Sequence, residues 1–149
     1  SHSVPLSQIL WSKEKNMGNH RILIADDSKT LSELLGFTLK QICPDCQIEI
    51  TSDGLAALEK VQRPPASPTF DMIFTDYDMP GMNGLELAHA VYESHPDIKV
   101  VLMTGHSYVP GLNGDGRPVN LIGLLKKPFV KKEVEQAFNL IAGHSQDGV

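Results

Sequence analysis

Five short β-rich apolar runs recur along the chain at intervals of roughly 20 to 28 residues, each followed by a stretch with helical periodicity. They are Arg21 to Ala25, Gln47 to Thr51, Met72 to Thr75, Lys99 to Met103 and Leu121 to Leu125. Three of them, Ile22-Leu23-Ile24, Met72-Ile73-Phe74 and Val100-Val101-Leu102, are apolar without alternation, as parallel strands covered on both faces by helices should be. The pattern predicts an α/β fold built on a five-stranded parallel sheet.

The intervening stretches carry their own start and stop signals. A first helix should begin near Ser28, a good N-cap, with Leu31, Leu34, Leu35, Thr38 and Ile42 on its inner face. A second follows Asp53-Gly54, turns Leu55, Leu58 and Val61 inward and ends before Pro64-Pro65. A third follows Asn83-Gly84, buries Leu87, Ala88 and Val91 and stops ahead of Pro96. The last carries Val130, Val134, Ala137, Phe138 and Ile141, the strongest helical pattern in the chain. Between Tyr108 and Pro118, where the sheet needs its fourth helix, lie Pro110, Gly111, Gly114, Gly116 and Pro118. That helix should be irregular or shortened, because these residues break or fray helical backbone.

The chain has 18 acidic and 13 basic residues, a formal net charge of −5. Non-specific binding to nucleic acid or anionic membrane depends on a Lys/Arg excess, so neither is expected. No apolar run approaches the roughly 20 residues that span a bilayer, and no secretory signal is recognisable, so the expected location is cytoplasmic. Two cysteines are too few for a disulfide framework, and Cys43-Pro44-Asp45-Cys46 should be a plain turn joining a helix to a strand.

Part of the acidity is concentrated. Asp26-Asp27 follows the first strand, and Asp76 with Asp78 follows the third. In an open parallel sheet, ligands bind outside the carboxyl ends of the strands where crossovers diverge, so neighbouring first and third strands would bring four carboxylates to one crevice. Two like charges 4 Å apart at an effective dielectric near 20 repel by about 4 kcal/mol, so the cluster requires a cation or shifted pKa values. An all-oxygen site with few protein ligands suits Mg²⁺. The fourth strand ends in Thr104-Gly105 and the fifth in Lys126-Lys127-Pro128-Phe129, adding a hydroxyl and an ammonium at the same edge. Mg²⁺, lysine and hydroxyl together can handle a phosphoryl group.

The runs Ile22-Leu23-Ile24-Ala25-Asp26-Asp27-Ser28, Phe70 through Gly84 with its Asp76-Tyr77-Asp78-Met79-Pro80-Gly81-Met82-Asn83-Gly84, Thr104-Gly105-His106 and Lys127-Pro128-Phe129 resemble the receiver domain of bacterial two-component response regulators. The resemblance implies a doubly wound, flavodoxin-like sheet of order 2-1-3-4-5 over residues 20–143, leaving 1–19 as an extension and 144–149 as a tail. It implies phosphoryl transfer from the phosphohistidine of a histidine kinase or phosphotransfer protein to Asp76. Asp27 would bind Mg²⁺ directly along with Asp76, Asp26 through water, and the main-chain carbonyl of Asp78 would be a further ligand. Lys127 would pair with the phosphoryl group and Thr104 would swing towards it. Such a receiver is a signalling switch rather than an enzyme, and homodimerisation is left open.

Two departures stand out. The aromatic residue that often precedes the lysine by three positions is Leu124, which has no ring to rotate inward, so a signal from Thr104 must travel another way. Asp78 adds a second negative side chain beside the acceptor and is expected to alter autodephosphorylation. His106 is expected to be a solvated loop residue. A haloacid-dehalogenase-type phosphatase, suggested by Asp76-Tyr77-Asp78, would carry that motif on its first strand in a longer chain. A phosphorylation-independent pseudo-receiver is disfavoured by the complete set of Asp26, Asp27, Asp76, Thr104 and Lys127.

Overall fold

Uninterrupted apolar strands need cover on both faces, and the chain supplies it by alternating strands with helices. The computed structural model describes residues 20–63 and 69–146. In order they form β1 (Arg21–Ala25), α1 (Lys29–Ile42), β2 (Gln47–Thr51), α2 (Gly54–Gln62), β3 (Met72–Asp76), α3 (Gly84–Ser94), β4 (Lys99–Thr104), β5 (Leu121–Lys126) and α4 (Lys131–Gln146). All strands pair in parallel in the order β2-β1-β3-β4-β5, the topology expected from the resemblance. The N-terminal extension, the Pro64-Pro65 pair and the end of the C-terminal tail lie outside the described residues.

Two apolar layers cover the sheet. On one side Ile22, Ile24, Met72, Phe74 and Val101 pack with Leu35 and Leu39 of α1 and with Val134, Phe138 and Ile141 of α4. On the other, Leu23, Ile73, Val100 and Leu102 pack with Ala57 and Val61 of α2 and with Leu85, Leu87, Ala88 and Val91 of α3. Burial of each such side chain stabilises the fold by about 1.5–3 kcal/mol relative to exposure. Helix starts follow the sequence signals. Ser28 caps α1 by accepting from Leu31 N–H, Asp53 caps α2 by accepting from Ala56 N–H, and Asn83 with Glu86 forms a capping box on α3.

The inner faces of α1 and α2 differ from expectation. In α1 the buried residues are Ser32, Leu35, Gly36 and Leu39, while Leu31 and Leu34 are exposed. Small side chains let the helix approach β1 and β2, and Ser32 satisfies its hydroxyl by donating to the main-chain oxygens of Asp26 and Ser28. In α2, Leu55 is exposed, and Gly54, Ala57 and Val61 face the core. Val130 likewise precedes α4 and is exposed.

The connection from β4 to β5 contains no helix among the described residues, as its glycines and prolines predict, and Gly111 and Gly114 adopt positive φ. Val109 pins it to the core at 2% exposure. The Cys43-to-Cys46 run is a turn but not a plain one. It brings the two Cα atoms to 5.4 Å, and the sulfurs are joined in a disulfide.

Candidate functional site

The carboxyl end of the sheet gathers the residues singled out in the sequence. Strands β3, β4 and β5 each extend one residue further than expected, so Asp76, Thr104 and Lys126 are the last residues of their strands. Because β1 lies beside β3, Asp26 and Asp27 emerge next to Asp76. One carboxylate oxygen from each of the three falls within 4.8 Å of the others. Asp26 and Asp76 are buried and Asp27 is exposed, so the cluster opens to solvent on the Asp27 side.

Lys127 sits on the turn after β5, at a cis peptide bond to Pro128. Its Nζ lies 3.1 Å from Asp76 Oδ1 and 3.4 Å from Asp26 Oδ2, bridging two strands' carboxylates with one cation. The second oxygen of Asp26 accepts from Ser28 N–H at 2.9 Å. Burial pushes the Asp76 carboxyl above the usual carboxylate range, against the pull of the Lys127 hydrogen bond and with help from the charges of Asp26 and Asp27. Burial also works to lower the lysine, yet its hydrogen bond to Asp76 and the charge of Asp26 leave its pKa raised. The arrangement is a buried carboxylate with one local cation and excess negative charge, poised to take up a hard cation.

Thr104 is 2% exposed, and its hydroxyl accepts from the main-chain N–H of His106 at 3.0 Å. Asp27, Tyr77, Asp78, Met79, Pro80 and Asn83 line a cavity of about 380 Å³, which places Asp78 on the open side of the cluster with Asp27. The Asp78 side chain does not point freely into this cavity. Its Oδ2 accepts from His106 Nε2 at 2.5 Å. His106 is half exposed, as a loop residue should be, but its ring is engaged rather than merely solvated.

One feature escaped the sequence reading. Leu31, Leu34, Thr38, Phe129, Val130 and Val134 line a largely apolar groove of about 560 Å³ between α1 and the start of α4, and Lys127 lines it as well. Its signal was the surplus of large apolar residues on α1, more than one face of a helix can bury.

A sequence model of the response regulator receiver domain matches residues 22–139. The chain belongs to this family. The receiver is 33% identical over 109 residues to the response regulator receiver protein CpdR of Brucella abortus, an alignment covering 73% of this chain and 85% of that protein. With the chemotaxis protein CheY of Pseudomonas aeruginosa it shares 28% identity over 129 residues, covering 83% of this chain and 99% of that one. Among solved structures it is similar to the chemotaxis response regulator CheY4 of Vibrio cholerae, with a TM-score of 0.68 at 27% identity, covering 82% of this chain and 98% of that one. A receiver domain protein from Clostridium thermocellum, 19% identical, shows the same fold with a TM-score of 0.72 over 87% of this chain and 99% of that one. Some relatives are longer. The receiver matches 32% of the length of RpfG of Xanthomonas campestris, a cyclic di-GMP phosphodiesterase response regulator, at 32% identity over 83% of this chain. The receiver has a CheY-like signalling fold, and no described helix is long and apolar enough to cross a membrane.

Proposed function

We propose that this receiver is a phosphoacceptor switch that takes a phosphoryl group from the phosphohistidine of a histidine kinase or phosphotransfer protein onto Asp76. The observation that carries this reading is the Lys127 ammonium bridging Asp76 and Asp26 beside an open Asp27. The switch would occupy residues 20–143, consistent with the family match over 22–139.

The donor set fits Mg²⁺, being hard oxygen throughout and carrying more negative charge than Lys127 neutralises. Asp27, Asp76 and the Asp78 main-chain carbonyl would hold the ion directly and Asp26 through water. When bound, the ion neutralises phosphoryl oxygens and so lowers the repulsion between donor and acceptor. The chain's own part begins with an Asp76 carboxylate oxygen attacking phosphorus. The N–P bond of phosphohistidine breaks, its electron pair stays on the imidazole nitrogen, and an O–P bond forms. Lys127 pairs with the transferred group, and Thr104 donates its hydroxyl to it. Lys127, which pairs with Asp76, also lines the apolar groove, so a phosphodonor helix with an apolar stripe seated there would lie close to the acceptor.

Incubation with acetyl phosphate and Mg²⁺ should add the mass of one phosphoryl group to the intact protein, and a chelator should prevent it. Absence of any mass gain with the metal present overturns the reading. A second prediction concerns Asp78. Because its carboxylate is turned to His106, its effect on a phosphorylated Asp76 is through charge. Asp78→Asn should change the phosphoryl half-life by up to a few-fold, the scale set by about 1 kcal/mol of charge–charge interaction at ~4 Å in water. Equal half-lives in the two proteins refute it.

A further inference from the structure

The described chain enters the fold beside the apolar groove. His20, the residue before β1, is buried, and its ring stands edge-on to Phe138 of α4 with centroids 5.7 Å apart. Phe138 lies one helical turn from Val134, about 6 Å along the axis, and Val134 lines the groove. Whatever precedes His20 therefore starts on the face formed by α1 and α4, close to the groove's α4 wall. The groove itself is open. Leu34 and Val130 are 59% and 63% exposed, and Leu31 is exposed as well, so large apolar side chains from two elements meet water over one concave surface. A surface of this kind marks an interaction site.

We propose that the groove is the seat of this chain's own N-terminal segment, Leu6 to Trp11, which plugs it from within the same molecule. Leu6, Ile9 and Leu10 fall at offsets of three and four, the spacing with which a helical stripe is laid into a hydrophobic groove. Residues 12–19 connect Trp11 to His20, and eight residues span up to about 26–29 Å, several times the one-turn offset between Phe138 and Val134. Positions 1–12 contain no Asp, Glu, Lys or Arg, and the charges of Lys13, Glu14 and Lys15 belong to the connecting stretch. That neutrality suits the groove, because Lys127 is already engaged by Asp76 and Asp26 and requires no counter-charge from an occupant. Attachment favours this occupant over a free one. A short connection gives an effective concentration on the order of millimolar, so a seat that a separate peptide would fill weakly is filled by the tethered segment.

Seated there, the segment would cover the face assigned above to a phosphodonor helix, and access to Asp76 would depend on displacing it. This consequence, unlike the seat, rests on that assignment. A small donor such as acetyl phosphate needs no groove and would bypass the plug.

Trp11 is the only tryptophan of the chain, and its fluorescence reads the seat in the intact protein. In the parent its emission should lie to the blue of that in urea, and acrylamide should quench it several-fold less effectively. Leu34→Glu in the groove and Leu10→Glu in the segment should each bring both readings close to those of the urea-unfolded protein. Circular dichroism should show both variants folded, Leu34 being more than half exposed in the parent. Phe37→Glu is the control, because Phe37 is exposed on α1 without lining the groove, and it should leave Trp11 shielded. The plug is overturned if Trp11 is as quenchable in the parent as in urea, if Leu34→Glu leaves it shielded, or if Phe37→Glu exposes it equally. Shielding that disappears on dilution gives the groove to the segment of a second copy and overturns the intramolecular seat. Failure of acetyl phosphate to phosphorylate the parent counts against Asp76 as acceptor, whereas the Trp11 readings still decide the plug.

Discussion

Asp76→Asn is expected to reduce phosphoryl uptake from acetyl phosphate to background while leaving the protein folded and more heat-stable than its parent at neutral pH. Uptake is lost because an amide oxygen is a poor nucleophile at phosphorus and one ligand charge disappears from the Asp26, Asp27 and Asp76 cluster. The stability effect follows from the raised Asp76 pKa, caused first by burial and then by the neighbouring carboxylates against the pull of Lys127. An acid whose pKa is raised on folding binds more protons folded than unfolded, so ionising it weakens the fold. The penalty develops as pH climbs from the unfolded value, about 3.9, through the folded one and is complete above it. An uncharged Asn escapes that penalty. Lys127 keeps Asp26 as a partner at 3.4 Å, so its charge is not left alone. Thermal unfolding of both proteins across pH should therefore show the variant ahead at pH 7 and the gap closing as the parent's carboxyl is protonated. Intact-mass measurement reads the uptake. Retained phosphorylation in the variant means that another residue is the acceptor, and a gap that widens on acidification contradicts the electrostatic argument.

The site was legible in the sequence because its chemistry is tied to strand ends. Uninterrupted runs such as Met72-Ile73-Phe74 fix a strand in a two-sided sheet, and a carboxylate that closes such a run can only emerge at the carboxyl edge. Lys127 and Thr104 follow from the same logic on β5 and β4. Which face of α1 turns inward was not legible in this way. Leucine spacing favours the Leu31, Leu34 and Thr38 stripe, whereas the sheet accepts Ser32, Gly36 and Leu39. A Cβ on Gly36 would just touch Ile50, Ile24 and Ile48 at 3.7 to 3.9 Å, so a methyl fits there whereas a side chain larger than alanine would hold the helix off the strands. Periodicity weighs how apolar a face is, and close packing here weighs how small it is. The clasp of Asp78 by His106 was beyond reach for a different reason. It joins residues 28 apart on two irregular loops, and no periodic pattern reports on such a pairing.

Gly84→Ala is the backbone counterpart of the acceptor variant. Gly84 opens α3, and its N–H donates to the Tyr77 carbonyl at 3.0 Å, which draws the helix under the end of β3. A Cβ there would fall 2.5 Å from the Asp76 main-chain oxygen and 2.6 Å from Leu102 Cδ1. The carbonyl belongs to the strand end that carries Asp76, the proposed nucleophile, and already accepts from Thr75 Oγ1 at 3.0 Å. Leu102 is fully buried, so the strain must be relieved by moving α3 or Asp76 itself. Overpacking of this kind costs about 1–3 kcal/mol, more than the roughly 1 kcal/mol that alanine gains over glycine in a helix. A shift of the nucleophile approaching ~1 Å would slow phosphoryl uptake by up to about a hundredfold. Gly36→Ala supplies the opposite case on α1, where the added methyl meets only ordinary contacts at 3.7 Å or more. It should stabilise the fold by about 0.5–1 kcal/mol and leave uptake unchanged. Denaturant unfolding and acetyl phosphate uptake of the two variants, side by side, would separate strain at the acceptor from a general effect of replacing a helical glycine. Equal stability and equal uptake in both would show that the close approach of α3 to Asp76 does not position the acceptor.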